Sequence, residues 1–81
     1  MAPEITIRQA TTADAFALRR LAALDDRAAL HGKVLVAEQA GELRAALSID
    51  DGRTIANPFA PTAKLVDMLR VHRSFAETVA A

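Results

Sequence analysis

No cysteine, tryptophan or tyrosine occurs in this chain of 81 residues, and glycine, proline and phenylalanine occur three times each. Without cysteine there are neither disulfides nor thiolate metal sites to compensate for a small core. With Phe16, Phe59 and Phe75 as the whole aromatic set, that core is aliphatic and alanine-heavy. Neither charge sign predominates: ten basic residues stand against ten acidic ones. That balance excludes the basic footprint of a nucleic-acid binder, and no aromatic–basic interleaving for single strands is present. No apolar run approaches the roughly 20 residues of a membrane span. The opening Met1-Ala-Pro-Glu-Ile lacks a basic segment leading into an apolar run, so no signal peptide is expected and the reading is a cytoplasmic protein.

A chain of this length predicts a single domain over residues 1–81. Such a domain buries only about 60% of the surface its unfolded form exposes. Oligomerisation is then the expected stabiliser.

Ile5-Thr6-Ile7-Arg8-Gln9-Ala10 alternates apolar and polar residues and reads as a half-buried strand. Thr11-Thr12-Ala13-Asp14 fits a capping box, and Ala17, Leu18, Leu21, Leu24 and Ala28 recur at helical spacing, which predicts a helix over 12–27. Val34-Leu35-Val36-Ala37-Glu38 and Leu43 to Ile49 read as a hairpin turning at Gln39-Ala40-Gly41-Glu42, with Gly41 supplying the positive φ and Arg44 and Ser48 facing outward. Asp50-Asp51-Gly52 is a second turn before a short strand at Arg53–Ala56, which Pro58 ends. Pro61 suits the start of a last helix over 62–78. The order β-α-β-β-β-α predicts an α+β fold with a small, mainly antiparallel sheet of about four strands and two helices. Whether the helices share a face is left open by the pattern.

Two motifs resemble a known family. The run Ile5-Thr6-Ile7-Arg8-Gln9-Ala10-Thr11-Thr12-Ala13-Asp14 into the first helix, and Val36-Ala37-Glu38-Gln39-Ala40-Gly41-Glu42-Leu43 across the hairpin, look like the N-terminal half of a GNAT N-acetyltransferase. The resemblance covers about residues 4–56. It implies a truncated GNAT-like domain. In that family a glycine-rich loop and the helix after it bind the acetyl-CoA pyrophosphate through backbone N–H groups. The corresponding stretch here, residues 55–63, has no glycine and contains Pro58 and Pro61. No cofactor-binding residue carries over, so no cofactor is assigned.

Candidate chemistry is sparse. His31 reads as a solvated loop residue and His72 as a histidine packed in an apolar helical stripe; neither has metal-ligand spacing. Asp25-Asp26 and Asp50-Asp51 fit helix-end and turn chemistry. Glu38 and Glu42 lack a cofactor cradle to act beside. No catalytic or metal-binding residue is assigned. The last helix carries two apolar stripes, Leu65, Leu69, His72 and Ala76 on one and Met68, Val71, Phe75 and Val79 on the other, an arc wider than one sheet face covers. Leu65, Met68, Leu69, Val71, His72 and Phe75 are therefore the expected contact surface. The functional expectation is a non-catalytic module acting as a homodimer or on a small protein partner, without nucleic acid or membrane. Its alternative is an acyltransferase-related or acyl-CoA-binding subunit that needs a partner chain to complete its site.

Overall fold

The computed structural model describes residues 4–80, with side chains described for residues 4–75. It is an α+β fold: β1 (Ile5–Gln9), a 3-10 turn (Thr12–Asp14), α1 (Ala15–Leu24), β2 (Val34–Gln39), β3 (Glu42–Ser48), β4 (Thr54–Ala56) and α2 (Ala63–Ala80). The strands form one antiparallel meander in the order β1-β2-β3-β4.

One helix packs on each face. The reason lies in β2 and β3, where both parities are apolar and both faces must be covered. Val34 and Val36 with Ala46 and Ile55 meet Leu21 and Ala22 of α1. Leu35, Ala37, Ala45 and Leu47, with Ile5 and Ile7 of β1, meet Leu65 and Leu69 of α2. Three of the fully buried residues at the sheet centre are alanines, Ala37, Ala45 and Ala46. None of the three phenylalanines belongs to either core. Because both faces of β3 are covered, Ser48 is buried rather than outward, and its hydroxyl donates to the His31 carbonyl at 3.4 Å.

The β2–β3 turn has φ of 55° at Ala40 and 78° at Gly41, the left-handed pair of a two-residue hairpin loop. Two residues beyond it the register slips: Ala37 faces Ala45, but Glu38 faces Leu43, which leaves Arg44 as the extra residue of a bulge.

The first helix ends three residues before its periodicity predicts. Asp26 adopts φ 52°, its N–H bonds to the Ala23 carbonyl, and the Arg27 N–H bonds to the Ala22 carbonyl at 2.9 Å. This is a Schellman ending with aspartate in the position glycine usually takes. The Asp25-Asp26 pair is thus helix-end chemistry, as its sequence indicates. The last helix starts at Ala63, two residues after Pro61, with the Val66 N–H donating to the Thr62 carbonyl.

Candidate functional site

Four places carry the residues of interest: a charged cluster beneath the start of α1, the outer edge of β4, the connector after it, and the outer face of α2.

Arg8 projects from β1 on the α1 side of the sheet, since its register partner Val36 belongs to that core. Its guanidinium donates to both carboxylate oxygens of Asp14, at 2.8 and 2.9 Å, and pairs with Glu38 on the neighbouring strand. Asp14 also accepts the Thr11 backbone N–H at 2.7 Å, the reach-back half of the capping box. These hydrogen bonds, from Arg8 first and Thr11 second, hold the buried Asp14 carboxyl well below the usual carboxylate range. Asp14 and then Glu38 in turn raise the Arg8 pKa. The cluster floors a cleft of about 380 Å³ between α1 and the hairpin end, with Arg20, Glu42 and Asn57 on its walls. Glu38 is therefore committed to an ion pair. Arg8 gave no signal in the sequence beyond its place shortly before the capping box.

At β4 the alternation of the ladder decides which amides face out. Ser48 N–H bonds to the Arg53 carbonyl and Asn57 N–H to the Arg44 carbonyl. Thr54 and Ala56 consequently turn their backbone groups away from β3. The chain itself caps one group of this edge. Asp25 Oδ2 accepts the Ala56 N–H at 3.0 Å, and the Arg53 guanidinium donates to the Ala28 carbonyl at 2.6 Å. Only a tertiary contact reveals this role of Asp25.

After β4, the Phe59 N–H donates to Asn57 Oδ1 at 2.9 Å and the Ala60 N–H to the Asn57 carbonyl at 3.3 Å. Pro58 and Pro61 have no N–H to offer. The Phe59 and Ala60 amides are thus engaged by Asn57 rather than free for a ligand.

The six residues expected to form a contact surface on α2 divide in two. Leu65 and Leu69 are buried against the sheet, 2% and 0% exposed, and leave nothing for a partner to touch. Met68 is half-buried at the boundary. Val71 and Phe75 are 69% and 72% exposed, and His72 is exposed with them rather than packed. The helix twist explains the division: positions 65 and 69 align one turn apart, while 68, 71, 72 and 75 share the adjoining arc. Ala76 and Val79, the remaining members of the two stripes, lie outside the residues whose side chains are described. Phe59 and Phe16 are 83% and 72% exposed on the connector and on α1, so all three aromatics lie on the surface.

Among the described residues no group of three histidine, aspartate or glutamate side chains converges to hold a metal, and no helix is long and apolar enough to cross a membrane. Comparisons with protein-family models, with curated proteins and with solved structures found no match.

Proposed function

We propose that this chain is a non-catalytic, GNAT-like mini-domain that acts by self-association, as a homodimer. The observation that carries the reading is the outer ridge of α2. Met68, Val71, His72 and Phe75 form a contiguous row on a helix whose inner face is already filled by Leu65 and Leu69. A phenylalanine left in water forgoes about 1.5–3 kcal/mol of burial energy, and a small domain has little to spare. Placing the ridge of one copy against that of another removes this row from water on both protomers. The charged cluster supports the same reading from the other side: Asp14 and Glu38 are both engaged by Arg8, which suits a scaffold better than a catalytic group.

The alternative, an acyltransferase-related subunit completed by a second polypeptide, gains no support from the geometry. On the β4 edge, where such a chain would extend the sheet, the outward Ala56 amide is already taken by Asp25.

Sedimentation equilibrium of the wild-type chain and of Phe75→Asp tests the proposal. A wild-type dimer and a folded, monomeric variant are expected. A wild-type monomer at high micromolar concentration, or a Phe75→Asp dimer of unchanged affinity, would overturn it.

A further inference from the structure

The two edges of the sheet are not equivalent. The β4 edge is three residues long, and its outward Ala56 amide is capped by Asp25. The β1 edge is five residues long, and among the described residues no strand pairs with its outer side. The Ala10 N–H bonds to the Val34 carbonyl at 2.8 Å, which fixes the parity of the ladder: Thr6, Arg8 and Ala10 bond inward to β2. Ile5, Ile7 and Gln9 therefore direct their N–H and C=O groups outward. Arg8 touches this row only at the Gln9 carbonyl, 3.3 Å away, and a carbonyl accepts two bonds.

We infer that β1 is a self-pairing edge, and that a second copy of the chain adds its own β1 antiparallel to it, making one eight-stranded sheet. The chemistry of the strand is what selects a second copy over another partner. A two-fold axis at Ile7 pairs Ile7 with the partner's Ile7 and Ile5 with the partner's Gln9, so all three outward residues exchange backbone bonds. On one face two isoleucine side chains then meet across the axis, beside the half-buried Ile5 that already borders the α2 core. On the other face Thr6 stands opposite the partner's Arg8, and exposed Glu4 stands diagonal to it. No like charges are opposed. The two Arg8 side chains approach the axis already paired with Asp14 and Glu38. A short, capped edge at one end and an open, self-complementary edge at the other is the arrangement that closes a dimer without running on into a fibre.

This inference rests on the self-association reading but not on the α2 ridge, and the test keeps the two apart. Because the chain has no cysteine, Ile7→Cys places one thiol on the axis, where paired Cα atoms about 5.5 Å apart fall within disulfide range. Mild oxidation is expected to yield a covalent dimer, and the control Thr6→Cys, whose residue faces the partner's Arg8, to stay uncrosslinked. Gln9→Pro removes an outward N–H without touching the β1–β2 ladder, so it leaves the fold intact and weakens the dimer about tenfold or more, the bond being lost twice by symmetry. A dimer that Phe75→Asp dissociates, but that ignores Gln9→Pro and forms no crosslink through Ile7→Cys, overturns the β1 edge and leaves the α2 reading standing. A dimer crosslinked at position 7 and insensitive to Phe75→Asp does the reverse. A wild-type monomer overturns both.

Discussion

Asp14 receives the Arg8 guanidinium through two parallel hydrogen bonds, one to each carboxylate oxygen, and so ties the first strand to the first helix across only six residues of chain. The same carboxylate accepts the Thr11 N–H. Removing it leaves a partly buried guanidinium short of acceptors and a helix start without its cap. Asp14→Ala is expected to lower stability by about 1.5–3 kcal/mol, the range for a charge-assisted hydrogen bond, as measured by urea denaturation.

The acid side of the stability profile should report the same group. The folded Asp14 carboxyl is held well below its unfolded value, so it binds fewer protons folded than unfolded at intermediate pH. Its contribution is full above about pH 5 and is lost as pH falls through the unfolded value near 3.9 towards the folded one. Urea midpoints measured from about pH 6 to about pH 2 are expected to fall less steeply for Asp14→Asn than for the wild-type chain. Parallel curves would remove Asp14 from the account.

Asp25→Ala frees the Ala56 amide on the β4 edge. The expected effects are a loss of about 1 kcal/mol and a new tendency to form species larger than a dimer, as the one capped amide of that edge is freed. Light scattering at rising concentration distinguishes this variant from the wild type.

The fold was legible in the sequence to the extent that local pattern decides it. Alternation at Ile5–Gln9, the capping box at Thr11–Asp14 and the Ala40-Gly41 turn each mark an element by short-range physics. What escaped was tertiary. The apolar residues of α2 look alike in sequence, yet Leu69 is sealed beneath the helix and Phe75 stands in water, because only docking on β2 and β3 picks which stripe faces in. His72 changes its reading for the same reason. The Asp25–Ala56 bond joins residues 31 positions apart and leaves no periodic trace.

Leu69→Ala and Val71→Ala separate the two arcs. The first opens a cavity in the α2 core and is expected to cost about 2–4 kcal/mol, enough to unfold much of a small domain. The second, tested at a concentration where the chain is monomeric, is expected to stay within about 0.5 kcal/mol. Far-UV circular dichroism against urea reads both.

The hairpin turn offers a gain. Ala40 holds a left-handed φ that costs an ordinary L residue about 1–2 kcal/mol, and asparagine tolerates it better. Ala40→Asn is expected to raise stability by about 0.5 kcal/mol or more, seen as a shift in urea midpoint without a change in slope.

The surface position of all three phenylalanines has an optical corollary. With no tryptophan or tyrosine in the chain, its near-ultraviolet emission is almost dark. A single tryptophan at position 16, 59 or 75 replaces a ring that no core depends on, and its fluorescence has no background to compete with. Three such variants would make each patch of the surface its own lamp, and the one that shifts to the blue on concentration marks where the molecule is touched.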